Sequence, residues 1–370
     1  ISNAWVTSDG ILRVRFTDNE YLKDALVTVN DSTFNVDLGS LRDSDYTVSL
    51  RDNVTRATDG IYDVNVVVND LAGNSYSIQD TVYADFDAPE FSNLRYDGYI
   101  VEDAGNVYLR GDLILNGSYS DIGSGIESVE LICNGAVVGT ELPATISDSG
   151  EYSLRVTDGA GLSTTVSISS ILGTTSNNIV VDNSNPVISE VSGFSPDLVD
   201  NGVEWYASHP TFVISVQDAN MREISVSVNG NVVISDVSSN GLYTIDTAGL
   251  EGNVNISVKA VDRVGGVSEY SYSYMSDTTA PVDISSTIDM VGLPKDGHVF
   301  YDAAPLISVK ALDKGVGISE YRIYGSKEES NITGEFTLDT GEYYVSVVDR
   351  LGNESQRVSL SDLLGLAYNA

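Results

Sequence analysis

Apolar and polar positions alternate with a period of two in short runs spread along the whole chain. Leu12, Val14 and Phe16 interleave with Ile11, Arg13 and Arg15, and Thr211-Phe212-Val213-Ile214-Ser215-Val216 is similarly β-branched. Ile256-Ser257-Val258-Lys259-Ala260-Val261 and Tyr344-Val345-Ser346-Val347-Val348 repeat the pattern. This period sends successive side chains to opposite faces of a strand, so these runs predict half-buried strands. Asn134-Gly135, Asn229-Gly230 and, at the equivalent place, Asn30-Asp31 are hairpin-turn signals between such runs. No segment sustains a 3.6-residue period with caps over three turns, so no substantial helix is expected.

The runs are organised into repeats. Three linkers read alike: Asp85-Phe86-Asp87-Ala88-Pro89, Asp182-Asn183-Ser184-Asn185-Pro186 and Asp277-Thr278-Thr279-Ala280-Pro281. Their prolines recur at intervals of about 95 residues, the self-similarity that marks a tandem array. A second anchor is an aspartate ending an apolar run, at Asp18, Asp121, Asp218 and Asp313. Thirteen residues before each stands an aromatic: Trp5, Tyr108, Trp205 and Phe300. A third anchor is Asp-x-x-Gly after a Val-rich strand, at Asp70, Asp158, Asp262 and Asp349. Four repeats are therefore expected, at 1–84, 85–181, 182–276 and 277–370. Seven or so short strands per repeat, with turns between them, predict an all-β tandem array of four immunoglobulin-like β-sandwiches. Trp5 lies close to the start of the chain, so the first repeat is expected to lack its N-terminal strand. The chain also stops soon after Val358-Ser359-Leu360-Ser361-Asp362-Leu363-Leu364-Gly365, whereas a strand and a linker follow the matching Val166–Gly173. A fragment of a longer protein is the expectation.

The anchors resemble a known family. Asp-Thr-Thr-Ala-Pro linkers, Asp121-Ile122-Gly123-Ser124-Gly125-Ile126, Asp313-Lys314-Gly315-Val316-Gly317-Ile318 and Gly-x-Tyr before Asp-x-x-Gly-Asn are similar to the bacterial Ig-like repeats of cell-surface adhesins and large secreted multidomain proteins. The likeness covers all four repeats. The third departs from it, with Asp218-Ala219-Asn220-Met221 in place of the Gly-Ser-Gly loop and a longer stretch between Tyr243 and Asp262. The resemblance implies an extracellular or cell-surface setting, and stalk, adhesion or accessory modules with no active site.

Charge and composition narrow the partners. Asp plus Glu total 54 against 19 Lys plus Arg, a formal net charge of −35. Nucleic-acid binding needs a basic footprint, and none is available. An electrostatic anchor on anionic lipid is excluded for the same reason, and no apolar run is long enough to insert directly in a membrane as a helix. Hydrophobic residues at 42% with 21 Tyr can still build packed cores, so this is not an acidic disordered tail. Two His and one Cys leave little for zinc, haem or thiol chemistry. Cys133 alternates with Val129 and Leu131 and reads as a small core residue. No G-x-S-x-G or H-E-x-x-H occurs, and the chain is read as a non-enzyme.

The aspartates carry the remaining chemistry. In a seven-strand sandwich the second and sixth strands both return to the pole where the linker enters. Asp121 and Asp158 should therefore approach Asp85 and Asp87. Asp182, Asp218 and Asp262 form the next set, and Asp277, Asp313 and Asp349 the last. Carboxylates gathered at one pole repel unless neutralised, and Ca²⁺ takes oxygen ligands of this kind. The alternative is that each Asp caps its own turn through backbone N–H groups.

The aromatics are expected to cap the poles of the cores, and a glycan-stacking stripe is the competing reading. Trp205-Tyr206, near His209, is the one pair that could form a sugar platform. Tyr62, Tyr152 and Tyr343 match the tyrosine that pins a strand corner through its hydroxyl. Two functional readings follow. One is a non-catalytic extracellular stalk for surface display or adhesion, directed at a surface glycan or protein and monomeric in itself. The other is an accessory, carbohydrate-binding region of a larger secreted carbohydrate-active enzyme. Short proline-bearing linkers predict modules standing end to end, on the order of 150 Å in all.

Overall fold

In the computed structural model, residues 5–6, 10–54, 58–295 and 298–365 are described. Two compact units divide the chain, Ile1–Asn183 and Ser184–Ala370.

The first unit holds two separate hydrophobic cores. The first core lies between the pair Ile11–Thr17 with Asp43–Ser49 and a sheet ordered Trp5–Val6, Ser75–Ala84, Gly60–Asp70, Leu22–Val29, Ser32–Asp37. Leu12, Phe16 and Val48 from one sheet meet Val27, Val64 and Val66 from the other. The second core lies between Glu90–Asp97, Leu113–Ser120, Ala144–Ile146 and a larger sheet built on Ile126–Cys133 and Gly150–Asp158. Leu113, Leu115 and Ile146 pack there against Val129, Leu131 and Leu154.

The second unit repeats the scheme. Val187–Ser192, Thr211–Gln217 and Gly241–Asp246 face a six-stranded sheet that includes Met221–Val228, Gly252–Asp262 and Val267–Ser276. Val282–Ile288, Leu306–Leu312 and Glu335–Thr337 face a four-stranded sheet that includes Ile318–Tyr324 and Tyr344–Asp349. One three-stranded sheet against one sheet containing the hairpin-linked central strands is the immunoglobulin-like arrangement. The chain is an all-β tandem array of four such sandwiches.

Local chemistry explains the strands. Along Thr211–Gln217 every second residue, Phe212, Ile214 and Val216, is buried. Along Gly252–Asp262, Val254, Ile256, Val258 and Ala260 do the same. The hairpin turns have the expected conformation. Asn134 and Gly135 both have positive φ (49° and 82°), as do Asn229 and Gly230 (50° and 79°). That matches the twist of the flanking strands. The Asn side chains add a second function, because Asn134 Oδ1 accepts from Glu151 N–H and Asn229 Oδ1 from Asn255 N–H.

Ile11–Thr17 has Asp43–Ser49 as its one strand partner among the described residues, whereas its counterparts Leu113–Ser120, Thr211–Gln217 and Leu306–Leu312 are each flanked by two. The second partner of each counterpart is the strand that opens its sandwich. Among the described residues there are three helices of one turn or little more, Leu50–Asn53, Ile168–Leu172 and Leu360–Leu363. Ser167 caps the second by accepting from Ser170 N–H, and Gly173 ends it in the left-handed conformation.

The aromatic anchors diverge. Tyr108 is 5% exposed in a strand that pairs in parallel with Asn178–Val181. Trp205 is half-buried, in a strand parallel to Val267–Ser276. Phe300, expected in the core, is 55% exposed. Its strand His298–Phe300 pairs with Leu293–Lys295 and, among the described residues, with no closing strand of its sandwich. Burial of this position depends on that distant partner, which the local pattern cannot reveal. The strand placement of Trp5 is parallel to Ser75–Ala84.

The corner tyrosines behave as expected in two cases. Tyr62 donates to Thr58 O at 2.7 Å and Tyr152 to Asp148 O at 3.0 Å, each four residues upstream. The Tyr343 hydroxyl pairs with Ser326 Oγ instead. Cys133 is half-buried and packs against the core near Tyr152.

Candidate metal centres

The aspartates reach the sandwich poles because they continue the core-facing alternation by one step. Tyr152, Leu154, Val156 and then Asp158 are buried along Gly150–Asp158. Val345, Val347 and Asp349 do the same in the last sandwich. The neighbouring strand contributes likewise: Ile307, Val309 and Ala311 face inward, and Asp313 follows in that register. Period two thus aims a carboxylate, rather than another valine, at the end of the core. The linker then lays a third carboxylate across them.

In the first unit, Asp85, Asp121 and Asp158 each offer one oxygen, all within 4.8 Å of one another. In the second unit, Asp277, Asp313 and Asp349 do the same. Asp85, Asp158, Asp277 and Asp349 are buried, while Asp121 and Asp313 are half-buried. Of the remaining residues, Asp182 belongs to the first unit and Asp218 and Asp262 to the second. Asp182 N–H donates to Leu109 O in the first unit. In the second unit Asp218 Oδ1 accepts from Asn220 N–H, and buried Asp262 Oδ1 accepts from Gly266 N–H.

Asp121, Asp158, Asp313 and Asp349 also cap their own turns, whereas the linker carboxylates Asp85 and Asp277 cap the Gly-rich loop of the module. Asp85 Oδ2 accepts from Ser124 N–H at 2.6 Å and Asp121 Oδ2 from Gly125 N–H at 2.7 Å. Asp158 Oδ1 accepts from Ala160 and Leu162 N–H. In the last sandwich Asp277 Oδ2 accepts from Val316 N–H, Asp313 Oδ2 from Gly317 and Gly315 N–H, and Asp349 Oδ1 from Leu351 and Asn353 N–H. Capping uses some oxygens of each triad and leaves others. Asp158 Oδ2 and Asp313 Oδ1 are buried with no hydrogen-bond partner. Turn capping and convergence are therefore not alternatives here.

The Asp-x-Gly-x-Gly loops explain their glycines by contact. A Cβ on Gly123 would stand 2.4 Å from Asp85 Cγ, and one on Gly315 would stand 1.8 Å from Asp277 Oδ2. The linker carboxylate lies directly on the glycine, so any larger residue expels it.

Burial pushes the Asp158 carboxyl above its ordinary value, and the Asp85 and Asp121 charges push the same way. Burial also raises Asp313, with Asp277 and Asp349 adding to it. Backbone N–H donors oppose both shifts without cancelling them. A cation among the oxygens would act in the opposite direction, favouring the ionised form. An orphaned oxygen in an enclosed carboxylate cluster fits a hard divalent ion such as Ca²⁺.

Asp87 does not join the first triad. Its N–H points at Asp85 Oδ1, at 3.4 Å, while its own side chain is exposed. The Asp85 turn faces it outward. Asp59, which sequence reasoning missed, lies beside this cluster. Its Oδ1 accepts from Phe86 N–H at 2.6 Å, and its carboxyl is raised by burial and by the Asp87, Asp85 and Asp121 charges. The signal was a polar residue just before the glycine that opens the sixth strand. Ser149 before Gly150 accepts from Val181 N–H, and Glu251 before Gly252 accepts from Thr278 N–H.

No protein-family model matches the chain, and no curated protein matches it. The likenesses are to tandem β-sandwich arrays. One solved structure is a tetra-tandem repeat in the extending region of a large adhesion protein, 18% identical, covering 96% of each chain with a TM-score of 0.35. Another is a Ca²⁺-stabilised adhesin described as helping an Antarctic bacterium reach out and bind ice. It is 16% identical and covers 95% of this chain and 93% of its own, with a TM-score of 0.29. A third is an ICAM-5 D1–D4 ectodomain fragment, 10% identical over 96% of each chain, with a TM-score of 0.38. None of the three shares a quarter of its residues with this chain.

The expected sugar platform finds half its members buried. Tyr206 is 3% exposed, with its ring against Phe212 and Tyr274 and its hydroxyl on Gly193 O and Tyr272. Its neighbours Phe194, Phe212 and Tyr272 complete an aromatic core, so its ring face is unavailable for stacking. His209 is engaged with Glu251, at 3.2 Å. No helix among the described residues is long and apolar enough to cross a membrane.

Proposed function

We propose that this chain is a non-catalytic extracellular stalk of four Ig-like modules, bounded at 1–84, 85–181, 182–276 and 277–370. It serves surface display or adhesion, with Ca²⁺ tying the linkers at Asp85 and Asp277 to the modules that follow them. Asp85, Asp121 and Asp158 would hold one ion and Asp277, Asp313 and Asp349 another. The ion would supply charge neutralisation and shared coordination only.

The observation that carries this reading is the buried, unpartnered Asp158 Oδ2 inside a carboxylate triad. An unsatisfied buried polar oxygen costs on the order of 1–3 kcal/mol. Like charges a few ångströms apart add to that at any dielectric between water and dry protein. A site with these two costs is expected to be completed by a cation. A net charge of −35 works in the same direction, since it makes modules repel where nothing bridges them.

Calorimetric titration of the full chain with calcium chloride tests the reading. Binding at millimolar affinity or better is expected, weakened in Asp158→Asn, with strand content by circular dichroism unchanged by EDTA. No heat of binding, together with identical scattering profiles in calcium and EDTA, would remove calcium from the account.

A further inference from the structure

The two triads that lie within single units are built on matching loops but finished by different side chains. In each Asp-x-x-Gly loop the aspartate N–H donates to the carbonyl four residues on, Leu162 O at 3.0 Å and Asn353 O at 3.1 Å. The glycines, Gly161 and Gly352, adopt nearly the same φ, 87° and 91°. The fourth position then differs. Asn353 Nδ2 donates to Asp349 Oδ2 at 2.7 Å and to Asp277 O at 3.0 Å. The Leu162 side chain has no group to donate, and Asp158 Oδ2 is left without a partner; in the last triad the matching Asp349 Oδ2 is bonded and Asp313 Oδ1 is the unpartnered oxygen.

The linkers differ in the same direction. Thr279 Oγ1 donates to Asp277 Oδ1 at 3.0 Å. The matching residue in the first unit is Asp87, which brings a carboxylate instead of a donor. Asp59 adds another nearby charge on that side. The first sandwich supplies an internal check on the loop. Asp70 has Asn74 four residues on, and Asn74 Nδ2 donates to Asp70 Oδ2 at 2.6 Å. That amide is the main reason the Asp70 carboxyl lies below its ordinary value, opposite to Asp158.

We propose that positions 162/353 and 87/279 grade the two sites: Asp85–Asp121–Asp158 depends on a divalent cation for its order, whereas Asn353 and Thr279 hold Asp349 and Asp277 together from within and leave only Asp313 Oδ1 for an ion to complete. The first triad is the more ion-responsive junction, and the last, where Asn353 already ties Asp349 to the linker carbonyl of Asp277, is the better preformed one. This rests on the calcium reading above. A carboxylate oxygen already bonded to an amide gains less from an ion, because binding must displace or share an existing bond. An orphaned oxygen gains the full difference.

Hydrogen–deuterium exchange of the full chain, read by mass spectrometry in calcium chloride and in EDTA, separates the junctions. The reporting amides are those that cap the carboxylates, in 121–125 and 158–162 for one site and in 313–317 and 349–353 for the other. Calcium should slow exchange in the first pair by about tenfold or more and in the second by about threefold or less, following the stabilisation that ligand binding confers. Leu162→Asn should reduce the first response, and Asn353→Leu should enlarge the second. Each substitution installs the residue its sibling loop already carries, so the loop backbone accepts it. Asp158→Asn is the control that removes the first response alone.

Equal slowing at both junctions, or responses untouched by either exchange, overturns the grading and leaves the calcium reading standing. Slowing at neither junction, with no heat of binding, overturns both. Leu162→Asn that raises protection in EDTA while lowering the calcium response supports the grading most directly.

Discussion

The second and fourth sandwiches share more sequence signals than any other pair in the chain, yet they are finished differently. Both carry the Asp-x-Gly-x-Gly loop, the Asp-x-x-Gly loop and a short terminal helix, Ile168–Leu172 in one and Leu360–Leu363 in the other. In the second, Asn178–Val181 follows the helix and pairs with both Asn106–Leu109 and Gly150–Asp158. Tyr108 is buried as a result. In the fourth, among the described residues, His298–Phe300 has a hairpin partner alone, and Phe300 is open to solvent. The pole chemistry diverges too, through Leu162 against Asn353. A motif fixes where a residue sits along its strand. What lies over that residue is decided elsewhere in the chain.

The largest expected effect breaks the comparison at the aromatics. Tyr108→Ala removes a buried ring and should cost about 3–5 kcal/mol in the second sandwich, by transfer and cavity terms together. Phe300→Ala removes an exposed ring and should stay within about 0.5 kcal/mol. Urea unfolding followed by exchange protection in each sandwich measures the two separately. Similar losses would mean that Phe300 is covered in solution.

Much of this arrangement is legible in the amino-acid sequence. The four repeats, the Asn-Gly hairpins and the convergence of Asp85, Asp121 and Asp158 all follow from period two and strand order, which are local or topological facts. Asp59 is not legible there, because its approach depends on how Phe86 crosses the end of the neighbouring sandwich. The exposure of Phe300 and the burial of Tyr206 are hidden for a similar reason. Both depend on partners far away in sequence: among the described residues no closing strand covers the first, and an aromatic cluster covers the second. The role of Leu162 is invisible because it lies in what the side chain does not donate.

A middle-sized effect sharpens the contrast at the triads. Burial raises the folded-state value of Asp158, so its ionised form opposes folding in chelator at neutral pH. A raised carboxyl binds a proton in the folded state before the unfolded chain does. Its penalty is therefore relieved as pH falls through the raised folded value toward the ordinary 3.8. Asp158→Asn carries no such charge. In EDTA at neutral pH the variant should be more stable than the parent, on the order of 1–2 kcal/mol for the relieved orphan. The gap should close on acidification and reverse sign in calcium at neutral pH. Asp313→Asn should follow the same course with a smaller gap, since Asn353 already holds Asp349. Thermal midpoints across pH, in EDTA and in calcium, decide it. A parent that gains nothing on acidification relative to Asp158→Asn would place the charge penalty elsewhere.

The smallest effect concerns the residue that follows each triad aspartate, Gly159 in one loop and Arg350 in the other. Arg350 Nη1 pairs with Asp200 Oδ2 at 2.5 Å, joining the last sandwich to the hairpin Leu198–Asp200/Val203–Tyr206 within the second unit. The guanidinium holds the Asp200 carboxyl below its usual value. Both side chains keep roughly a third of their surface in water, at 38% and 31% exposed. Solvent screens such a pair and side-chain ordering offsets part of its gain, so the coupling should be small. A double-mutant cycle with Asp200→Ala and Arg350→Ala isolates it. The coupling should shrink further in high salt, because exposed charges are screened over short distances. It should also fade as pH drops through the depressed folded value of Asp200, where that carboxylate takes a proton. A large coupling, unchanged by salt, would mean the pair is desolvated in solution. Arg350 would then rank with Asn353 as a determinant of the last junction, and the contrast between the two loops would have an electrostatic origin as well as a hydrogen-bonding one.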